Sequence, residues 1–237
     1  MILFYAPDIE ENPSLPDVES SHCCRVLRMK SGDEIFVTDG RGNLYKCIIT
    51  KADPAKTILS IVDKEDRREE KDYKLTLAVA PTKNPERIEW LVEKAVEIGV
   101  DKIVLLKCRR SERKFQKTER LKKVMISAMK QSLSLTLPEI TELTDIKDFI
   151  KESGNCQNKY FGYCSELYPR KEFVKEYKEG GEVIVMIGPE GDFSPEEVEL
   201  AVGNGFQPVT FGEKRLRTET AGVFAVCAVN IINQMND

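Results

Sequence analysis

The stretch GEVIVMIGPEGDFSPEEVELAVGNGF, residues 181–206, decides the fold of the longer part of the chain. An apolar run from Val183 to Ile187 leads into a loop with two glycines, and a helix start follows at once. Ser194 is a good N-cap, Pro195 suits the first helical turn, and the two glutamates after it favour the positive end of the helix. This order predicts a buried parallel strand with a ligand site beyond its carboxyl end.

The composition of the loop at 188–194 limits the kinds of ligand that it can bind. Gly188 and Gly191 allow a ligand to approach bare backbone. The loop lacks the lysine and Ser/Thr of a phosphate-binding P-loop and does not read G-x-G-x-x-G. Because Glu190 and Asp192 are acidic, the loop suits a neutral or cationic ligand better than a polyanion. A tight turn without any ligand is the structural alternative.

A second strand-loop-helix unit follows in TFGEKRLRTETAGVFAVCAVNIINQ, residues 210–234. Its loop, residues 212–217, carries three basic side chains, and Thr218 or Thr220 is predicted to cap the helix. The helix is apolar nearly all round from Ala221 to Ile232, which predicts burial in a core or at a subunit interface.

The rest of the chain divides at a run of charges. Residues 1–62 are β-rich, with strands predicted at 34–38, 44–51 and 57–63, and a short helix before them is predicted to be capped by Ser20 or Ser21. Ten charged residues in succession, 63–72, predict a solvated linker. From Leu75 onward strands alternate with helices, which indicates a largely parallel sheet covered by helices. We therefore predict domains at 1–72, including the linker, and 73–237.

Composition excludes several classes of function. The chain has 237 residues and a net charge of -4, so binding to nucleic acid requires a local basic patch. No apolar run reaches membrane length and the N-terminus does not resemble a signal peptide, which predicts a cytoplasmic protein. With seven cysteines, no C-x-x-C and one histidine, we expect no metal site. The single histidine, His22, also disfavours Ser-His and Cys-His nucleophiles.

A basic segment runs from Lys102 to Lys130, which contains eleven Lys and Arg residues and only two acidic residues. A solvated helix face is the alternative, but the contrast with an acidic chain favours contacts to phosphate. Arg25 and Arg28, about one helical turn apart, form a second basic pair in the small domain.

GPEGDFSPEE at 188–197 together with LRTETA at 216–221 resembles the signature of the RsmE family, which methylates uridine N3 in small-subunit ribosomal RNA and belongs to the SPOUT superfamily. The resemblance covers nearly the whole chain. Residues 21–43 are similar to the PUA-like RNA-binding domain of the family, and residues 82–106 are similar to the start of its catalytic domain. Gln131 and Ser132 match a family motif in which Ser134 stands where an arginine is often found.

This resemblance implies an α/β fold in which a small β-rich PUA-like domain precedes a SPOUT trefoil-knot methyltransferase domain that works as a homodimer. It also implies S-adenosylmethionine as cofactor and the 16S rRNA of the small ribosomal subunit as partner. The implied cofactor-binding residues are Gly188, Glu190, Gly191, Leu216, Arg217, Thr218 and Ala221. The residues we expect to bind RNA are Arg25, Arg28, Arg109, Arg110 and Arg113.

Methylation at uridine N3 requires removal of the proton on that nitrogen, because the neutral form is a poor nucleophile. Glu190 and Glu219 are the carboxylate candidates for the base, and Arg217 is the candidate for stabilising charge on the uracil oxygens. Glu219 has a simpler alternative role as an acid at a helix start. Two other functions remain open at this point: a non-catalytic RNA-binding ribosome assembly factor, and a different α/β enzyme with a nucleotide cofactor.

Overall fold

The computed structural model describes residues 2–67, 71–113, 117–165 and 167–235. The chain forms two compact units, Met1–Glu70 with Ile126–Leu137, and Lys71–Met125 with Pro138–Asp237. The predicted α/β class is confirmed, while the trefoil knot stays a prediction. The predicted domain boundary after Asp72 also stays a prediction. The sequence analysis did not predict that residues 126–137 belong to the first unit.

The first unit is built on a four-stranded sheet in the order β1-β2-β3-β4. The β1–β2 pair is parallel, and the β2–β3 and β3–β4 pairs are antiparallel. A short helix, α1, continues into one π-helical turn, His22–Val26. The bounds are β1 Leu3–Tyr5, α1 Asp17–Ser21, β2 Glu34–Thr38, β3 Asn43–Lys51 and β4 Ile58–Asp66.

The start of α1 differs from the prediction. The N-cap is Pro16, with no side-chain cap, and Ser20 lies inside the helix. The Ser20 hydroxyl donates to the Leu15 carbonyl (2.9 Å) and accepts the Thr57 N–H (2.9 Å). Capping by Ser20 or Ser21 was therefore wrong, because a contact with a residue 37 positions away engages this hydroxyl.

The charged run at 63–72 is also not simply a linker. Its first four residues, Asp63–Asp66, extend β4 and pair with β3, where Asp66 faces Asn43. Because β4 lies at the edge of the sheet and these residues are exposed, charged side chains are tolerated there and discourage pairing with other chains. Residues 68–70 of the run lie outside the described residues.

The second unit contains an eight-stranded sheet whose pairs within the described residues are all parallel. Its order is β10-β12-β9-β11-β5-β6-β7, with β8 also paired to β6. The strands are β5 Tyr73–Val79, β6 Lys102–Lys107, β7 Glu139–Ile140, β8 Thr144–Asp145, β9 Asn158–Gly162, β10 Lys171–Glu172, β11 Gly181–Ile187 and β12 Gln207–Thr210. The helices from Lys71 onward are α2 Pro85–Ile98, α3 Thr118–Gln131, α4 Ile146–Glu152, α5 Phe173–Glu176, α6 Pro195–Gly203 and α7 Thr218–Gln234. Of these, α3 belongs to the first unit from Ile126 onward.

Strand β11 lies inside the sheet, between β5 and β9, and residues 183–187 are buried as predicted. Continuous apolar sequence is what a parallel strand covered on both faces requires. The helix after it begins with a full capping box between Ser194 and Glu197, with Pro195 in the first turn. Strand β11 and helix α6 thus hold the two ends of the glycine-containing loop.

Helices α2 and α7 pack against each other and run in the same direction. Glu219 lies beside Arg87, Gly222 against Leu91, and the Asn230 amide donates to the Ile98 carbonyl (3.0 Å). The two N-termini therefore lie together, at the edge of the sheet where β5 and β11 end. Among the described residues, no helix has the length and apolar character needed to cross a bilayer.

The close approach of α2 and α7 depends on Gly222. A Cβ at this position would lie 2.5 Å from Cδ1 of Leu91, which is fully buried. Alanine normally stabilises a helix interior by about 1 kcal/mol relative to glycine, but this clash forces repacking that costs about 1–3 kcal/mol. We expect Gly222→Ala to lower the free energy of unfolding in urea.

The matched control is Gly203→Ala, in α6, where a Cβ would meet no atom within 4 Å. This variant should be neutral or slightly stabilising. Equal urea midpoints for the two variants would show that the α2–α7 contact does not require glycine.

Candidate active site

Two loops meet at the edge of the sheet where the parallel strands end. Strands β11 and β12 both pair with β9, one on each side, so residues 188–194 and 211–217 emerge on either side of the carboxyl end of β9. The Thr218 hydroxyl joins the loops by donating to the Gly188 carbonyl, at 3.0 Å and buried from solvent. The two segments that the sequence analysis singled out are therefore parts of one site.

This hydrogen bond also corrects the predicted cap of α7. Arg217 occupies the N-cap position and makes no side-chain capping bond, while Thr218 is the first helical residue. Thr220 is exposed and does not cap the helix either. The Thr218 hydroxyl is engaged by a carbonyl 30 residues away, and sequence spacing alone does not reveal such a partner.

The two loops border a cavity of about 520 Å³, within the usual range of small-molecule sites. Most of the residues predicted to bind a cofactor line it: Gly188, Glu190, Leu216, Arg217, Thr218 and Ala221. Gly191 and Glu219 are not among the described residues that line the cavity. A third wall, which the sequence analysis missed, comes from Tyr163, Cys164 and Arg170 after β9. The available signal was the apolar run KYFGYC at 159–164, because a parallel strand there ends at the same edge.

The charges around the cavity are mixed. Its lining includes three acids, Glu190, Asp192 and Glu213, and four bases, Arg170, Lys214, Arg215 and Arg217. A site with both signs of charge suits a ligand that itself carries both.

Gly188 borders the cavity without a side chain, and its backbone packs closely on an aromatic ring. A Cβ at Gly188 would lie 3.2 Å from the ring of Phe193, which is buried beneath the loop. Gly162, at the end of β9, is packed more tightly, because a Cβ there would lie 2.7 Å from the ring of Phe211, which itself lines the cavity. Aromatic rings thus pack against two positions of the cavity lining where the chain carries no side chain.

The two candidate carboxylates have different surroundings. Glu190 is exposed at the cavity, and its Oε1 accepts the Lys83 N–H at 3.0 Å. Glu219 is buried, with Oε1 3.6 Å from Nε of Arg87 and Oε2 without a hydrogen-bond partner among the described residues. Of the two, Glu190 can reach a molecule in the cavity directly, whereas Glu219 faces helix α2.

Three arginines predicted to contact RNA lie near this edge, in the segment after β6. The Arg109 guanidinium pairs with Glu196 at 2.7 Å, and Arg110 donates to the Gly191 and Phe193 carbonyls at 3.0 and 3.2 Å. Arg113 is half-buried. Hydrogen bonding by the Glu196 N–H and by Arg109 lowers the pKa of the Glu196 carboxyl to about 2.

The other predicted RNA contacts lie in the first unit. Arg25 and Arg28 are exposed in the π-helical turn and just after it, and Arg28 has a φ of 56°, which is unusual for a residue other than glycine. Such irregular backbone is common at functional sites. Within the described ranges, no group of three or more His, Cys, Asp or Glu residues is placed to hold a metal ion.

Comparison with known proteins matches two family models to this chain. Residues 69–230 match the RNA methyltransferase domain, and residues 15–62 match the RNA methyltransferase PUA domain. A curated relative from Aquifex aeolicus, named ribosomal RNA small subunit methyltransferase E, is 32% identical over 207 residues, or 85% of this chain and 87% of the relative.

Solved structures show the same similarity. A "probable rRNA-methyltransferase" from Porphyromonas gingivalis superimposes with a TM-score of 0.94 at 43% identity, over 100% of both chains. A ribosomal RNA small subunit methyltransferase E from Neisseria gonorrhoeae, bound to S-adenosyl methionine, superimposes with a TM-score of 0.85 at 25% identity over 98% of each chain. With both family models matched and full-length relatives of one name, this chain belongs to the ribosomal RNA small subunit methyltransferase E family of RNA methyltransferases.

Proposed function

We propose that the protein is an S-adenosylmethionine-dependent methyltransferase that modifies a uridine at N3 in the 16S rRNA of the small ribosomal subunit. The observation that carries this proposal is the cavity formed where the Gly188 loop and the Arg217 loop are joined by the Thr218 hydroxyl. The relative from Neisseria gonorrhoeae is bound to S-adenosyl methionine, and its name supports a small-subunit rRNA substrate.

The residues present fit this cofactor. Its sulfonium is positive and its amino-acid end carries both charges, which agrees with a lining that contains acids and bases. The bare backbone at Gly188 and the small side chain of Ala221 leave room at the two sides of the cavity. When bound, the cofactor supplies an electrophilic methyl group to a nucleophile.

The chain itself must handle the proton and the charge. We assign the base role at uridine N3 to Glu190, because it lines the cavity and the Lys83 N–H fixes one of its oxygens. Arg217 stabilises the negative charge that deprotonation places on the uracil oxygens. Glu219 holds Arg87 at the shared N-termini of α2 and α7, which makes it a supporting residue in this mechanism.

RNA binding and assembly complete the proposal. The exposed Arg25 and Arg28 contact RNA phosphates, as expected for a PUA domain that positions RNA. We propose a homodimer formed through α7, because Phe224 and Ile231 on this helix and Met235 at its C-cap are 37%, 53% and 78% exposed. The protein acts in the cytoplasm, where ribosomal RNA is modified.

The decisive experiment combines calorimetry with nucleoside mass mapping. Purified protein is titrated with S-adenosylmethionine, then incubated with 16S rRNA or small subunits from cells that lack it. We expect cofactor binding and 3-methyluridine at one position. No cofactor binding would overturn the proposal. Binding without methylation would favour the non-catalytic assembly factor, and methylation at another base or atom would refute the N3 assignment.

The hydrogen bond between the two loops gives a direct test of the site. In Thr218→Val the side chain keeps its shape but loses the hydroxyl that donates to Gly188. A buried hydrogen bond of this kind contributes about 1 kcal/mol, so we expect cofactor affinity to fall about five- to tenfold in calorimetry. Thr220→Val, two residues on and exposed, is the control and should bind as the wild type does. Equal affinity for both variants would argue against a site closed by this bond.

A further inference from the structure

The segment after β6 forms a compact turn of its own. The Ser111 N–H donates to the Cys108 carbonyl (3.1 Å), and the Ser111 hydroxyl accepts the Cys108 N–H (3.1 Å). Cys108 and Ser111 are buried, whereas Arg109 and Arg110 between them are exposed. The turn therefore fixes the backbone from which both arginine side chains extend.

Arg110 reaches from this turn to the Gly188 loop. Its Nη1 donates to the Gly191 carbonyl at 3.0 Å and to the Phe193 carbonyl at 3.2 Å. Neither Gly191 nor Phe193 is among the described residues that line the cavity, whereas Glu190 and Asp192 beside them are. The guanidinium thus holds the loop through residues that alternate with those facing the cavity.

Main-chain contacts strengthen this attachment. The Arg109 N–H donates to Oε1 of Glu197 at 2.7 Å, and Oε2 of the same buried carboxylate accepts the Ser194 N–H at 2.7 Å. Gly191 packs directly on this segment, because a Cβ there would lie 3.3 Å from the Cβ of Arg110, tighter than most such contacts. The two segments are therefore in close contact at Gly191.

The Gly188 loop requires stabilising contacts because its backbone is strained at one residue. Asp192 has a φ of 61°, a left-handed conformation that costs about 1 kcal/mol or more for a residue with a side chain. The Asp192 carboxylate accepts the Cys164 N–H at 3.2 Å on one side, and Glu190 accepts the Lys83 N–H on the other. Arg110 bonds the two carbonyls that flank Asp192.

From this geometry we propose that Arg110 is a positioning residue of the cofactor site, which fixes the Gly188 loop in its binding conformation and does not contact RNA phosphate. The inference rests on the proposed function, because it takes the cavity as the S-adenosylmethionine site. A guanidinium suits the task, since the two N–H groups on Nη1 are fixed in one plane and can donate to two acceptors at once, which a freely rotating ammonium does with less geometric definition.

The test compares Arg110→Ala, Arg110→Lys and the control Lys107→Ala, which removes an exposed charge three residues earlier. Calorimetry measures affinity for S-adenosylmethionine, and kinetics with small-subunit RNA measure KM and kcat. We expect Arg110→Ala to raise the Kd and the KM for the cofactor about tenfold, with kcat at saturating cofactor within twofold of wild type. Arg110→Lys should bind the cofactor at least threefold more weakly than the wild type. Lys107→Ala should bind it with the affinity of the wild type.

The salt dependence of RNA binding separates the two roles of Arg110. A lost phosphate contact reduces the slope of log K against log salt by about 0.7–0.9. We expect the slope of Arg110→Ala to equal that of the wild type, and a reduction of this size would overturn the inference. Unchanged cofactor affinity in Arg110→Ala, or an equal loss in Lys107→Ala, would overturn it too. A wild-type protein that fails to bind the cofactor would instead refute the proposed function.

Discussion

Replacing Arg217 with alanine is expected to reduce the rate of methyl transfer by about 100- to 1000-fold, the usual loss when one group that stabilises a developing anion is removed. Arg217 lines the cavity and stands at the N-cap of α7, where the positive end of the helix adds to its charge. The side chain is exposed and borders the cavity, so its guanidinium can reach a substrate bound there. Single-turnover kinetics at saturating cofactor and RNA measure the effect on chemistry alone.

The control for this prediction lies in the other unit. Arg25→Gln with Arg28→Gln removes two exposed charges without shortening the side chains much. If both arginines contact phosphates, RNA affinity falls and the slope of log K against log salt decreases by about 1.4–1.8. Cofactor affinity and the single-turnover rate at saturating RNA should not change. A normal rate in Arg217→Ala, or lost cofactor binding in the double variant, would contradict this division of work.

Local sequence rules predicted the segments whose structure depends on near neighbours. The strand at 183–187, the Ser194 cap and the helix from Pro195 all follow from contacts within four residues, and the structure shows each of them. Helix α2 follows equally local rules, since its buried residues recur at helical spacing and it ends at Gly99 in the left-handed conformation that favours glycine. Here propensity, capping and hydrophobic pattern agree, which is the condition under which sequence predicts structure.

The predictions that were wrong concern side chains whose partners are distant in the chain. Thr218 or Thr220 was predicted to cap α7, but the Thr218 hydroxyl bonds Gly188. Ser20, one of the two candidates for the cap of α1, bonds Leu15 and the distant Thr57. In both cases a partner distant in the chain competes with the local cap, and spacing does not reveal it. The short elements α4, α5 and β10 carry too few residues for a periodic pattern.

The candidate site shows the same distinction. The sequence identified both loops, because glycines, acids and a basic cluster lie within a few residues of each other. It could not show that Gly191 packs on Arg110, or that Glu219 faces Arg87, since those contacts join separate parts of the chain. The wall after β9 was missed for the same reason. Reactive side chains that lie within one loop can be recognised from the sequence. Which of them shares a site with another loop depends on the fold.

The exposed face of α7 gives the second large prediction. Phe224, Ile231 and Met235 recur at spacings of seven and four, so they lie along one face of the helix, and each is more than a third exposed. The opposite face packs into the second unit through Ala225, Val229 and their neighbours. A helix that is apolar on both faces needs a second partner, and a second copy of the chain supplies one by two-fold symmetry.

Ile231→Glu is expected to convert the dimer into a monomer at micromolar concentration. Ile231 is 53% exposed in the single chain, so the substitution leaves the fold of the unit intact. In a two-fold interface the change occurs twice, and an unpaired buried carboxylate costs several kcal/mol, which raises the dissociation constant on the order of 1000-fold. Light scattering should give a mass near 27.0 kDa for the variant and twice that value for the wild type.

Val174→Glu is the matched control, because Val174 is 47% exposed in the same unit but lies on α5. This variant should remain dimeric. Since the Phe224 ring contacts Phe211, which lines the cavity, an interface on α7 also abuts one wall of the cofactor site. We therefore expect Ile231→Glu to lose cofactor affinity along with its partner, while Val174→Glu keeps both. A wild-type monomer, or a dimeric Ile231→Glu, would show that α7 is not the interface.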